Sequence, residues 1–107
     1  MTGRQPNVLI LHADGLGWGD LGCFGADDVP TPHLDALARD GVRLTQWYSN
    51  FPVCSPSRAA LLTGKYPAHA GIEEILGGSR CTTGLPPQPT LANLLRERGY
   101  RTGLFGK

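Results

Sequence analysis

A cysteine, a proline and an arginine are spaced two residues apart in the segment CSPSR, residues 54–58. An apolar run, AALLTG, follows, so Cys54 is predicted to lie in the first turn of a helix. The unpaired N–H groups and the dipole at a helix N-terminus stabilise negative charge. Pro56 is compatible with a first turn, and the guanidinium of Arg58 can bind an anion held there. The segment is therefore predicted to form an oxyanion-binding turn that carries a reactive side chain.

The role of Cys54 is left open by its immediate neighbours. Packing, a disulfide, metal ligation, nucleophilic attack and chemical modification all use cysteine. The three cysteines, Cys23, Cys54 and Cys81, form no CxxC pair, whereas zinc sites usually contain such pairs. A thiolate nucleophile needs a nearby base, and no histidine is adjacent to Cys54. We predict that Cys23 and Cys81 are part-buried thiols, with a disulfide between them as the alternative.

Three segments have the composition of β-strands. The first, NVLILHA at residues 7–13, is a continuous apolar run, which is typical of a strand buried on both faces of a parallel sheet. The second is VRLTQWY at 42–48 and the third is YRTGLFG at 100–106. A glycine-rich loop follows the first segment.

Helix signals alternate with these strands. Thr31 is predicted to cap a helix that begins at Pro32, has Leu34, Leu37 and Ala38 on one face and ends at Gly41. A second helix follows Cys54, and a third is predicted between Thr90 and Gly99, with Leu91, Leu94 and Leu95 facing inward. This alternation favours an α/β layered fold with a mainly parallel sheet flanked by helices.

Ligands collect at the carboxyl ends of the strands in such a sheet. Asp14 follows the first predicted strand, the Cys54 segment follows the second, and Lys107 lies at the end of the third. We therefore expect these three residues to converge at one edge of the sheet, although they are distant in sequence.

Composition excludes several classes of protein. The chain has 107 residues, 40% hydrophobic and 18% charged, with a formal net charge of +1, which predicts at most one globular domain. That charge gives no electrostatic basis for binding nucleic acid or an acidic membrane. No apolar run reaches the roughly 20 residues of a membrane helix. No secretory signal is visible in the first residues, so the expectation is a cytoplasmic location.

The segment CSPSRAALLTG resembles the signature of the sulfatase family, which lies within the alkaline-phosphatase-like superfamily. The resemblance extends to ADGLGWGDLGCFG, to TPHLDALARDGVRLTQWYS and to the final GYRTGLFGK, which is similar to a second family signature. It covers residues 7–107, nearly the whole chain. The fold it implies is the N-terminal part of an alkaline-phosphatase-like layered fold.

The resemblance implies a chemical role for Cys54. In the family, a formylglycine-generating enzyme oxidises this cysteine to Cα-formylglycine, whose hydrate has two hydroxyls. One attacks the sulfur of a sulfate ester, and the second expels the sulfate afterwards. This covalent route splits one difficult step into two. The implied function is a sulfuric-ester hydrolase of the arylsulfatase type, acting on a small-molecule or saccharide sulfate ester.

Three further roles are implied by position. Asp14 matches a carboxylate that binds a divalent cation, usually Ca²⁺, which prefers oxygen ligands. Arg58 matches the arginine that holds the hydrate, and Lys107 matches the lysine that contacts the hydrate and the sulfate. The chain departs from the family at Gly15, where a second aspartate is usual, and this weakens the expected metal site.

Two alternatives to a sulfatase stay open. A phosphonate or phosphate ester hydrolase of the same superfamily can share the modified cysteine. The other alternative is a non-catalytic fragment, since the resemblance implies that residues 1–107 are the truncated N-terminal portion of a sulfatase catalytic domain. We expect the remaining metal ligands and the general acid to lie outside it, so the isolated chain is expected to be inactive.

Overall fold

The computed structural model of the protein describes residues 5–77 and 83–107. The chain forms two compact units, Met1–Gln46 and Trp47–Lys107. The described residues contain four α-helices: α1 Pro32–Asp40, α2 Cys54–Thr63, α3 Pro67–Ala70 and α4 Leu91–Glu97. Two single-turn 3-10 helices, Trp18–Asp20 and Gly22–Phe24, lie in the glycine-rich loop. In the described part of the chain, no helix has both the length and the apolar character needed to span a bilayer.

Helix α1 has the predicted ends. Thr31 is the N-cap, Pro32 is the first residue, and the N–H of Gly41 closes the helix by donating to the Leu37 carbonyl. The Thr31 hydroxyl does not cap the helix; it accepts a hydrogen bond from the Gly22 N–H at 2.9 Å. On the face that Leu34, Leu37 and Ala38 share, Leu34 is 42% exposed and Leu37 is 65% exposed. Helix α1 is therefore held by polar contacts to the preceding loop.

Asp35 of α1 is the centre of these polar contacts. Its Oδ1 accepts hydrogen bonds from the Cys23 N–H at 2.7 Å and from the Thr31 hydroxyl at 3.0 Å. A Cβ at Gly22 would lie 2.5 Å from Asp35 Oδ2, so only glycine lets the loop approach this closely. The loop is thereby fixed to the first turns of α1.

An aromatic and cationic contact completes the first unit. The ring centroids of Trp18 and Phe24 are 4.3 Å apart, and the Arg43 guanidinium carbon lies 5.6 Å from the Phe24 centroid. Arg43 also donates a hydrogen bond to the Cys23 carbonyl. Such contacts stabilise a loop modestly, typically by about 0.5–1.5 kcal/mol for each aromatic pair.

The second unit contains the buried core of the described residues. Ala59 of α2, Ala70 of α3 and Ile72 pack together, with Leu85 against them. The two alanines have no side chain beyond Cβ, which allows α2 and α3 to approach closely. Helix α2 ends at Gly64, which is left-handed at φ 68° and donates its N–H to the Ala60 carbonyl.

Gln88 forms hydrogen bonds near the C-terminal ends of α2 and α3. Its amide nitrogen donates to the Ala70 carbonyl at 2.8 Å, and its amide oxygen accepts from Lys65 Nζ at 2.9 Å. Helix α4 follows and begins with the predicted cap, in which Thr90 and Asn93 exchange hydrogen bonds between side chain and backbone. Gln88 thus connects the segment after α2 to the end of α3.

None of the described residues is in a β-strand, so the structure does not confirm the three predicted strands. Segments 7–13, 42–48 and 100–106 have no regular secondary structure. In the first segment Val8, Leu9, Ile10 and Leu11 are each at least 52% exposed. A strand exists only when its backbone pairs with a neighbour, and a strand that is apolar on both faces also needs elements covering each face. The apolar pattern is present here without that pairing.

Candidate active site

Cys54 is the first residue of α2, as the sequence predicts. The preceding residue, Val53, has an extended backbone at φ −125° and ψ 158°, and no side chain caps the helix. The first N–H groups of α2 are therefore available to an oxygen atom near residue 54. Cys54 is a half-buried free thiol. Its position combines limited solvent access with a local preference for negative charge.

Arg58 lies one helical turn after Cys54, so the two side chains share a face of α2. The Arg58 Nη1 donates to the main-chain carbonyl of Lys107 at 3.3 Å. This contact joins residues 49 positions apart in sequence. The structure therefore brings together two of the residues that the sequence predicted to be catalytic, through the guanidinium of one and the backbone of the other.

Two serines of the CSPSR segment have hydrogen-bond partners outside the helix. The Ser55 hydroxyl accepts from the Leu76 N–H at 3.0 Å. The Ser57 hydroxyl lies 2.6 Å from the Ser49 hydroxyl. Sequence reasoning assigned no role to these three serines. A hydroxyl in a first turn is a visible signal, but the identity of a partner 8 or 21 residues away is not local information.

Asp14 belongs to the first unit, where it is exposed and lies in a bend. Gly15 follows with a left-handed backbone at φ 70°, and nothing lies within 4 Å of a Cβ built on it. The backbone conformation thus favours glycine at the position where the predicted site lacks a second aspartate. Among residues 5–77 and 83–107, no three His, Cys, Asp or Glu side chains are grouped so that they could hold a metal ion. The described residues therefore do not assemble the expected metal site.

Cys23 is a half-buried free thiol, in agreement with its predicted role as a packed side chain. Cys81 lies outside the described residues, as does any disulfide that involves it. An open cavity of about 680 Å³ adjoins Cys23, and its lining comes entirely from the first unit: Gly22, Cys23, Asp35, Ala38, Arg39, Arg43 and Thr45. This cavity contains no residue that the sequence predicted to be catalytic.

Comparison with known proteins identifies one family. The family model described as Sulfatase matches residues 6–107. The chain is 50% identical to the steryl-sulfatase of Mus musculus, over 97% of this chain and 18% of that protein. It is 49% identical to arylsulfatase H of Homo sapiens, over 96% of this chain and 20% of that protein. For arylsulfatase A of Homo sapiens the identity is 46%, over 97% of this chain and 21% of that protein.

These relatives are much longer than the chain described above. The chain spans about a fifth of the length of the curated relatives that it matches. Within that fifth, the match includes the CSPSR segment, Asp14 and Lys107.

Proposed function

The chain belongs to the sulfatase family, and from this premise we propose that the whole protein is a sulfuric-ester hydrolase in which residue 54 is the nucleophile. One observation supports this role above the others: Cys54 is a free thiol at the first position of α2, within the segment that resembles the family signature. The family has an alkaline-phosphatase-like α/β fold. We propose that segments 7–13, 42–48 and 100–106 contribute to a parallel sheet in the whole protein.

Conversion of Cys54 to formylglycine by a formylglycine-generating enzyme is part of the proposal. The surroundings of Cys54 fit this modification, because its thiol is free and the N-terminus of α2 stabilises an oxygen that carries negative charge. One hydroxyl of the hydrated formylglycine attacks sulfur, the S–O bond to the alcohol breaks and the alcohol leaves; the second hydroxyl then loses its proton, the aldehyde re-forms and the sulfate is released. Its half-buried position limits access of water to the reacting group.

Arg58 is proposed to hold the converted residue and the sulfate group. Its guanidinium has five N–H donors and no acceptor, which suits an anionic oxygen. The hydrogen bond to the Lys107 carbonyl uses one of those donors and fixes the orientation of the planar guanidinium group. By the family resemblance, the Lys107 side chain is proposed to add a second positive charge for the sulfate.

Asp14 is proposed as one ligand of a divalent cation, Ca²⁺ by the family resemblance. A single carboxylate does not make a calcium site, because this ion takes six to eight oxygen ligands. The described residues do not complete such a site.

The substrate class follows from the names of the relatives. These proteins are named for sulfates of sterols and of aryl alcohols. We propose that this protein also acts on a sulfate ester of such an alcohol.

The test compares two cysteines in the whole protein. We expect Cys54→Ala to reduce hydrolysis of an aryl sulfate to background, because no other group replaces the nucleophile. Cys23→Ala is the matched control: its N–H still donates to Asp35, so turnover should stay within about twofold of the parent, as is usual for a change away from the site. Mass spectrometry of the parent should show an aldehyde at residue 54 and a thiol at residue 23.

Two results would contradict the proposal. One is aryl sulfate hydrolysis that survives Cys54→Ala. The other is a parent protein that hydrolyses aryl phosphodiesters and not aryl sulfates, which would favour a phosphate ester hydrolase of the same superfamily.

A further inference from the structure

A chain of two hydroxyls connects α2 to the segment that precedes Cys54. The Ser49 hydroxyl donates to the Phe51 carbonyl at 2.8 Å. Its oxygen also lies 2.6 Å from the Ser57 hydroxyl oxygen. Because a serine hydroxyl has one proton and Ser49 uses its proton on Phe51, Ser57 must be the donor to Ser49. The Ser57 hydroxyl therefore donates to Ser49, and the Ser49 hydroxyl donates to the Phe51 carbonyl.

The backbone of Ser57 adds a third bond to the same segment. Its N–H donates to the Val53 carbonyl at 3.2 Å. Ser57 thus contacts the segment 49–53 twice, once through its side chain and once through its main chain. Residue 54 is the next residue, and the direction in which it enters α2 depends on the backbone of this segment.

We propose that Ser49 is a positioning residue for the nucleophile: through Ser57 and Phe51 it holds the segment 49–53 and thereby fixes the orientation of residue 54. Ser49 lies outside the CSPSR segment, and its bonds to residues on both sides of Cys54 give it this role. The inference rests on the proposed function for its effect on turnover. Its effect on the reactivity of the unmodified Cys54 thiol is independent of that function.

Ser49 and Ser57 contribute unequally to these two hydroxyl hydrogen bonds. Ser49→Ala removes both hydroxyl bonds, whereas Ser57→Ala leaves the bond from Ser49 to Phe51 in place. The double variant with alanine at residues 49 and 57 should therefore behave like Ser49→Ala alone, because Ser49→Ala already removes both hydroxyl hydrogen bonds. Ser49→Thr keeps the hydroxyl and should restore the parent behaviour.

The first measurement uses the whole protein with Cys54 unconverted, produced in cells without formylglycine-generating activity. Iodoacetamide labels the thiols, and mass spectrometry of the peptides gives the labelling rate of Cys54 relative to Cys23. Cys23 belongs to the first unit and serves as an internal reference. We expect Ser49→Ala to raise this ratio by about threefold or more, because a half-buried thiol labels faster when its surroundings open more often.

The matched control is Thr63→Val at the other end of the same helix. The Thr63 hydroxyl donates to the Ala59 carbonyl at 2.7 Å, so this change also removes a side-chain hydrogen bond to the backbone. The labelling ratio should not change in this variant. A ratio unchanged in Ser49→Ala, or raised equally in Thr63→Val, would overturn the proposal.

The second measurement uses the converted whole protein, with turnover expressed per formylglycine found at residue 54. We expect Ser49→Ala to lower kcat by roughly tenfold and to leave KM within about twofold, since misplacement of a reacting group affects the chemical step more than binding. Ser49→Thr should recover the parent kcat. A kcat that is unchanged in Ser49→Ala would overturn the effect on turnover. If the parent protein hydrolyses no sulfate ester, the proposed function fails, and the labelling ratio still decides the role of Ser49.

Discussion

The two units of the chain hold their helices in different ways. In the second unit, α2 and α3 enclose buried side chains, namely Pro56, Ala59, Ala60, Pro67, Ala70 and Ile72. In the first unit, no described residue is buried, and α1 is attached through Asp35 and Thr31 to the glycine-rich loop. The nucleophile candidate thus lies on an element with its own apolar core, whereas the metal-ligand candidate lies in a unit stabilised by polar contacts.

This difference has energetic consequences. Apolar burial contributes about 25 cal/mol per Å² and is lost when any large member of the core is truncated. A network of exposed or half-buried hydrogen bonds contributes about 0.5–1.5 kcal/mol per bond and weakens bond by bond. Helix α2 should therefore resist local opening more strongly than α1.

The largest difference between the units is expected from truncating one apolar residue in each. Ile72 is 1% exposed and Leu37 is 65% exposed. In the whole protein, Ile72→Ala should lower the free energy of opening of α2 by about 2–5 kcal/mol, the usual effect of deleting a buried isoleucine side chain. Leu37→Ala should change that of α1 by less than about 0.5 kcal/mol. Hydrogen exchange of peptides from α2 and α1 measures both values.

If the free energy of opening falls as much for α1 as for α2, the proposed difference between the two units is wrong. Such a result would show that Leu37 is covered in the whole protein by residues outside the first unit. The first unit would then share an apolar core that its own residues do not provide.

Helices α1, α2 and α4 were predictable because their signals are local, whereas the four-residue α3 was not predicted. The pairs Thr31–Pro32 and Thr90–Asn93 mark helix starts, and Gly41 and Gly64 mark helix ends, all within one turn of the residues they affect. The position of Cys54 at a helix N-terminus follows from the same local information. The starts of these three helices and the nucleophile's local setting could therefore be predicted from the sequence.

The strands and the supporting contacts were not predictable in the same way. Segment 7–13 has a strand-like apolar pattern, but a strand also requires a partner segment, and a pattern does not specify the partner. The contacts between Ser49 and Ser57 and between Gln88 and Ala70 likewise depend on how the chain folds back. The residues that hold the candidate site in place were consequently missed, and the reactive roles of Cys54, Arg58 and Lys107 stay predictions.

A smaller effect is expected from the polar network of the first unit. Asp35→Ala should cost about 1–3 kcal/mol locally, because the Cys23 N–H and the Thr31 hydroxyl lose their acceptor. Asp40→Ala on the same helix is the control. Asp40 pairs with Arg39 at 3.0 Å, but both side chains are about 70% exposed, and such surface pairs contribute only about 0.2–1 kcal/mol.

Hydrogen exchange of the peptide spanning residues 20–26 measures this effect. The amide of Cys23 should lose protection in Asp35→Ala and keep it in Asp40→Ala. Equal protection in the two variants would mean that the loop is held by contacts other than the carboxylate, such as those of Arg43 and Phe24.

The smallest effect is expected within the second unit and tests how far its core extends. Helix α4 contains no buried residue, and its start is fixed by Thr90, whose hydroxyl accepts from the Asn93 N–H at 3.4 Å and donates to the Asn93 carboxamide oxygen at 2.6 Å. Thr90→Ala should therefore destabilise α4 by about 1 kcal/mol, the typical effect of losing an N-cap. Thr90→Ser keeps the hydroxyl and is the control.

This loss should remain in α4. Because the core around Ile72 is formed by α2, α3 and Leu85, fraying of α4 removes no buried contact from it. Hydrogen exchange should accordingly show faster exchange in α4 peptides of Thr90→Ala, with α2 peptides unchanged. If α2 also exchanges faster, then α4 is part of the cooperative unit that supports Cys54, and the support for the nucleophile extends beyond the buried residues to a helix that only contacts α2 at its surface.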